Sequence, residues 1–249
     1  MVCTLTSCHG GKSPHTHVQG DTLALRYAEY LTLIKYEDYT EVLIHSPWDK
    51  DKLLQTFTIN DNPEFSRTIS FTATHSSLIE ELGMLDALIG VCEAEYIANP
   101  RIREALSAGR ISNIGSAMTP DRERIIGLDA DLILLSPYEN ASTYGNLESL
   151  GIPIVQCADY METSALRRAE WIRLYGRLFG KGHEADSLFT AIEAQYHSLK
   201  VLTDSIPSRQ RPTVLFDTQN GSAWYVPGGR STMAQLIADA GGRYIFSDN

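Results

Sequence analysis

The sequence predicts an α/β fold. Its parts are a lobe with a mostly parallel sheet, one long helix after it, the start of a second α/β lobe, and a β-rich segment in front. Three patterns carry this. First, strand-like runs at residues 67–72, 87–92, 131–136 and 153–157 alternate with helix-like stretches at 76–83, 100–108, 121–128 and 146–150. Strands alternating with helices argue for a parallel sheet covered on both faces. Second, residues 182–206 carry apolar side chains at Leu188, Ile192, Tyr196, Leu199 and Leu202. That spacing of three and four is one stripe of a helix. Third, Arg211-Pro212-Thr213-Val214-Leu215-Phe216 reads as a new first strand.

In chain order, residues 1–20 read as a polar tether rich in Gly, Ser, Pro and His. Within them Leu5-Thr6-Ser7-Cys8 resembles a lipobox, whose cysteine would be lipidated. A lipobox needs a charged and apolar signal ahead of it, and only seven residues precede Cys8, so either the signal is cut short or the match is chance. Residues 21–62 are β-rich. Residues 30–34 and 41–44 alternate apolar and polar around Tyr36-Glu37-Asp38-Tyr39, a hairpin pattern, and 53–59 supply a third strand. Residues 63–181 form the first lobe. In it the continuous apolar run after Asp131 suits a strand covered on both sides. Thr119-Pro120 reads as a helix start with Thr119 as N-cap and Glu123 near the third position. A helix over 162–179 leads through Gly180-Lys181-Gly182 to the strut at 182–207, which Pro207 ends. At 1.5 Å per residue the strut spans roughly 35 Å. It is either a spacer between two lobes or a surface helix of one large domain. Residues 208–249 begin the second lobe.

Composition bounds the function. The 249 residues are 43% hydrophobic and 21% charged, an ordinary globular balance. Net charge is −10 and no basic stripe is present, which argues against nucleic acid. No run of 18 apolar residues occurs. Cys3, Cys8, Cys92 and Cys157 form no CxxC, and the latter two sit in apolar runs as small buried hydrophobes. No phosphate-binding loop, dinucleotide fingerprint or nucleophile elbow occurs. Among seven histidines, His75 stands out because it follows a strand end, where open α/β sheets bind ligands; the alternative is that it merely starts a helix. The lack of catalytic motifs favours a binding protein over an enzyme.

The order of these pieces resembles a known family. The carriers are Arg67-Thr68-Ile69-Ser70, Leu78-Ile79-Glu80-Glu81-Leu82-Gly83, Leu88-Ile89-Gly90-Val91, Asn113-Ile114-Gly115 and the stretch from Pro120 through Leu134. Leu147-Glu148-Ser149-Leu150-Gly151-Ile152-Pro153-Ile154-Val155, the helix ending Leu178-Phe179-Gly180, Pro227-Gly228-Gly229-Arg230-Ser231-Thr232 and Ala240-Gly241-Gly242 extend it. Residues 67–249 thus look like the substrate-binding protein of ABC importers for iron–siderophores, haem and cobalamin, in which one helix joins two Rossmann-like lobes.

The resemblance implies an extracytoplasmic carrier, anchored by lipid at Cys8 if the lipobox is used. It implies no catalytic residue, no resident metal and no intrinsic cofactor. The cargo would be a ferric siderophore first, or haem or cobalamin. The partners would be an ABC permease and its ATPase. Ligand contacts are expected from the strand ends at Thr72, Thr74, His75, Tyr96, Ser136 and Tyr138, and from the second lobe at Trp224 and Tyr225. Glu123 matches the family's acidic residue that meets a permease arginine. The second lobe of the family is longer than the 39 residues from Arg211 to Asn249, so a fragment or truncated product is expected. Alternatives are a zinc or manganese carrier, a chelatase-type enzyme of related fold, or an interaction module built on the β-rich segment.

Overall fold

The structure is a computed structural model and describes residues 20–63, 65–139 and 146–248. Cys8 and the rest of the expected tether up to residue 19 lie outside the described residues. Four strands come first: β1 (Asp21–Thr22), β2 (Leu31–Lys35), β3 (Tyr39–His45) and β4 (Leu53–Asn60). They form an antiparallel sheet in the order β1-β2-β3-β4, with Leu33 opposite Val42. Leu31, Leu33, Val42 and Ile44 turn inward, as the alternation requires.

Next come β5 (Thr68–Ser70), α1 (Ala73–Glu81), β6 (Leu88–Val91), α2 (Pro100–Ser107) and β7 (Ser112–Asn113). A small ladder of β8 (Gly115–Ser116) and β9 (Thr119–Pro120) precedes α3 (Arg122–Gly127), β10 (Leu132–Leu135) and β11 (Ile154–Gln156). Five strands make a parallel sheet ordered β11-β10-β5-β6-β7. The apolar run in β10 is explained by two cores. Leu132 and Leu134 join one cluster and Ile133 and Leu135 the other, on opposite faces.

Helices α4 (Ala165–Glu170), α5 (Ile172–Leu178) and α6 (Gly182–Asp204) follow, then β12 (Thr213–Val214), β13 (Gln219–Asn220), β14 (Ala223–Trp224), α7 (Thr232–Asp239) and β15 (Arg243–Tyr244). β12 pairs with β15 and β13 with β14, so the 211–248 stretch pairs within itself. Ala234, Ile237 and Tyr244 form its own small core.

Several expectations change in detail. Thr119 and Pro120 pair with Ser116 and Gly115 instead of capping α3, and Asp121 is the N-cap, accepting the Arg124 N–H at 3.0 Å. A carboxylate at that position satisfies a free helical N–H and faces the positive end of the helix. The 146–150 piece is a single 3₁₀ turn, Leu147–Leu150. The helix expected over 162–179 is two, because the ladder tightens at Trp171, whose N–H bonds to Arg168 O only three residues back.

The expected stripe on the strut also shifts. α6 buries Ala185, Phe189 and Glu193, whereas Leu199 and Leu202 are 61% and 64% exposed. The helix is turned by about one residue, 100°, relative to a purely apolar seating. Glu193 faces inward because Arg26 and Tyr27 hold it. The Arg26 guanidinium pairs with Oε2, and the Tyr27 hydroxyl donates to Oε1 at 2.6 Å. Beside it α5 approaches closely: a Cβ on Gly176 would collide with Ala185 Cβ and Lys181 O.

The N-terminal sheet is fixed to the parallel sheet by polar side chains as well as by shared core. Gln55 on β4 donates from Nε2 to Ile154 O at 2.6 Å and accepts the Gln156 N–H at 2.9 Å, so one amide occupies the open edge of β11. Residues 26–30 lead into β2 with five consecutive N–H groups and no strand partner to take them. Two buried carboxylates do. Glu170 accepts the N–H of Arg26, Tyr27 and Ala28 at 2.9, 2.7 and 2.9 Å. Glu162 Oε1 accepts those of Glu29 and Tyr30 at 2.9 and 3.1 Å, and the Trp171 indole N–H at 3.0 Å. The Glu162 carbonyl in turn accepts the Thr232 hydroxyl at 2.6 Å, at the start of α7.

Replacing Glu170 by Ala leaves three N–H groups without an acceptor, so we expect a loss of about 3 kcal/mol or more in urea unfolding. Burial raises the pKa of Glu162 above its ordinary 4.5, against the pull of its hydrogen bonds. The native state therefore binds this proton more tightly than the unfolded chain. The resulting stability is full below pH 4.5 and is lost as pH rises through the native titration. Glu162→Gln keeps an acceptor and should flatten that part of the stability–pH curve.

Candidate ligand-binding face

The parallel order of β11, β10, β5 and β6 places four carboxyl ends along one edge of the sheet. The first-lobe candidates follow these strands. Thr72 ends the loop after β5. It is the N-cap of α1, its Oγ1 accepting the His75 N–H at 3.2 Å, and it is half-buried. Thr74 beside it is exposed. Tyr96, after β6, is 74% exposed. Ser136, directly after β10, is buried, and Tyr138 two residues on is 43% exposed.

His75 is a correction. Its side chain is 1% exposed and turned into the lobe, with Nε2 3.2 Å from Asp159 Oδ1 and the ring 5.9 Å from that of Tyr175. It lies in the first turn of α1, where side chains point back toward the strand layer. It therefore cannot touch a ligand on the surface of this edge.

Two residues that sequence reasoning missed belong to the same edge. Tyr160, in the 3₁₀ turn Asp159–Met161 after β11, donates its hydroxyl to Pro137 O at 2.6 Å, and its ring lies 6.4 Å from that of Tyr138. Burial raises its pKa, so it stays a neutral donor. The second is Met118, 51% exposed. It sits on the turn between β8 and β9, which Glu93 holds. Glu93 has φ of 53°, an uncommon left-handed conformation for a non-glycine, and its Oε1 accepts the Ser116 hydroxyl and the Ala117 N–H at 2.9 Å. A left-handed residue two positions after β6 marks the edge, but nothing in the sequence announces it.

Trp224 and Tyr225 belong to the 211–248 stretch and are 42% and 74% exposed. Trp224 packs edge-on against Phe246, 6.5 Å between rings. The second stretch is joined to the rest through Thr232 on Glu162 and through α6, where Tyr196 donates to Asp239 at 2.8 Å. A groove of about 340 Å³ lies between α6 and α7, lined by Tyr196, Leu199, Leu202 and Leu236, and involves none of the expected ligand residues.

Glu123 is exposed on α3 and has no partner among the described residues. Its neighbours are engaged: Arg122 donates to Asn146 O and Ser149 Oγ at 3.1 Å, and Arg124 to Asn113 O at 2.5 Å. Among the described residues no group of three or more His, Cys, Asp or Glu stands together to hold a bare cation.

Comparison with known proteins decides the family. A profile described as periplasmic binding protein matches residues 69–249. The chain belongs to this periplasmic binding protein family. It is 28% identical over 211 residues to an uncharacterized lipoprotein of Methanocaldococcus jannaschii, covering 81% of this chain and 50% of that protein. It is 27% identical over 194 residues to a cobalamin-binding protein of Halobacterium salinarum, covering 77% of this chain and 48% of that one. The chain therefore spans about half the length of these relatives. Among solved structures, the siderophore-binding protein BauB, bound to two acinetobactin molecules and ferric iron, superposes with a TM-score of 0.60 at 18% identity. That match covers 82% of this chain and 67% of BauB, and shows the shared fold.

Cys92 and Cys157 are buried free thiols, as their apolar runs imply. Burial pushes Cys92 up to about 12 and raises Cys157 as well. We expect both to resist iodoacetamide at pH 8 in the folded protein and to react once it is unfolded in urea, read by peptide mass mapping.

Proposed function

We propose that this periplasmic binding protein is the extracytoplasmic solute-binding component of an ABC importer. It captures a metal chelate at the strand-end edge and delivers it to a permease and its ATPase. The observation that carries this reading is the row of exposed aromatics, Tyr96 and Tyr138 with Tyr160 behind, along the carboxyl ends of parallel strands, where open α/β sheets bind ligands. Aromatic rings supply large, rigid contact area for a flat or aromatic-rimmed chelate at low entropic cost. Thr72, Thr74 and Ser136 are the polar groups of the site. Trp224 and Tyr225 are the facing wall from a second lobe, and α6 is the strut that sets the distance.

The cargo is a ferric siderophore, haem or cobalamin. The cobalamin-binding relative supports the last and the BauB fold is compatible with the first. The lipoprotein relative supports anchoring through Cys8. Glu123 is the docking carboxylate, since an exposed acid without a partner is free to meet a permease arginine in two parallel bonds. The family consists of binding components, and no resident cofactor enters this mechanism.

The test is titration of the protein with a ferric catecholate, haemin and aquocobalamin, followed by intrinsic fluorescence. One of the three should bind saturably. Tyr138→Ala and Tyr160→Ala should each weaken that binding by about tenfold. Glu123→Ala should leave binding unchanged while lowering uptake in cells that carry the matching permease. Saturable binding that both tyrosine variants leave intact would place the ligand elsewhere.

A further inference from the structure

The pair His75–Asp159 has no part in contacting ligand, yet it occupies a particular place. β10 lies between β5 and β11 in the sheet, and His75 follows β5 whereas Asp159 follows β11. The bond between them, Nε2 to Oδ1 at 3.2 Å, therefore crosses beneath the end of β10. Asp159 is 2% exposed and opens the 3₁₀ turn whose next residue is Tyr160. Tyr160 bonds to Pro137 O, just after β10, and its ring leans on that of Tyr138. Two strand-end segments are thus joined by the imidazole–carboxylate bond, and the third by the Tyr160 hydroxyl.

The arrangement is costly as packing. A carboxylate only accepts, so Nε2 carries the proton that it shares with Asp159. Nδ1 is then left buried with no partner among the described residues. A buried polar atom without a bond costs free energy that an apolar side chain of similar size would not.

We propose that His75 is a positioning residue for ligand: it fixes Asp159, and through it Tyr160, so that the Tyr138–Tyr160 wall is already set for the flat conjugated face of a metal chelate. This rests on reading the strand-end edge as the binding site. Preorganisation of this kind raises affinity by removing the cost of ordering the wall at the moment of binding.

Two variants and two readouts test it. His75→Leu removes the donor and keeps bulk, whereas His75→Gln keeps an N–H donor that reaches Asp159. In the ligand-free protein, hydrogen exchange of His75→Leu should rise by about tenfold at residues 136–139 and 158–162 and stay unchanged in β2 and β3, with His75→Gln close to wild type. With aquocobalamin, haemin and a ferric catecholate as probes, His75→Leu should weaken whichever binds wild type by about tenfold and His75→Gln should restore it. Wild-type exchange at both segments in His75→Leu, or exchange raised evenly through the chain, overturns the proposal. So does undiminished probe binding by His75→Leu. Should no probe bind wild type, the reading of the edge as a binding site fails, and the exchange arm still decides whether His75 sets the wall.

Discussion

Five consecutive backbone N–H groups reach two buried carboxylates, and the architecture depends on that contact. Residues 26–30 are in neither strand nor helix, so their part-buried donors need side-chain acceptors. Glu170 and Glu162 accept all five. Arg173 Nη1 adds a bond to Ala24 O at 3.0 Å, and Arg167 pairs with Glu29 at 2.6 Å. Through these bonds the β-rich front segment becomes part of the first lobe. It shares one core cluster with β6, β10, Trp171 and Phe189. Glu162 also touches the start of α7 through its carbonyl, so front segment, lobe and the 211–248 stretch meet at one residue. The enclosed charge is tolerated because nearly every lone pair facing the protein has a donor; the exception is Glu162 Oε2.

From this constraint the face of α6 follows. Glu193 is turned inward to Arg26 and Tyr27, and Tyr27 packs its ring against Phe189 at 6.0 Å. The Tyr27 hydroxyl has one proton, which goes to Glu193, so His197 Nε2 at 2.9 Å must donate to its oxygen. The first half of the strut is thus locked to the lobe, and its second half is held mainly by α7.

Much of the fold was legible because its signals are periodic. The alternation of residues 30–44 gave the β2–β3 hairpin, and the unbroken run after Asp131 gave a strand covered on both sides. The 23-residue α6 was legible from its length and spacing. What was not legible depends on tertiary partners. No local signal says that Glu193 will be buried instead of Ile192, because the reason is Arg26, 167 positions away. Asp121 displaced Thr119 as cap because Thr119 is drawn into a two-residue ladder. At the candidate site, strand ends could be placed from the pattern, so Thr72, Tyr96, Ser136 and Tyr138 fall on one edge. Which side chains there point out could not, and His75 went inward. Tyr160 was passed over because it lies in the short connection between the 153–157 strand and the helix expected from residue 162, where no periodic signal marks a side chain.

Under the proposed function, ligand lands on the strand-end edge of the parallel sheet. Hydrogen exchange across the chain, compared with and without a bound chelate, decides where it lands. Protection concentrated at residues 72–74, 94–97, 136–138 and 158–161 is the predicted result. Protection confined to the groove between α6 and α7, with that edge unchanged, would contradict it.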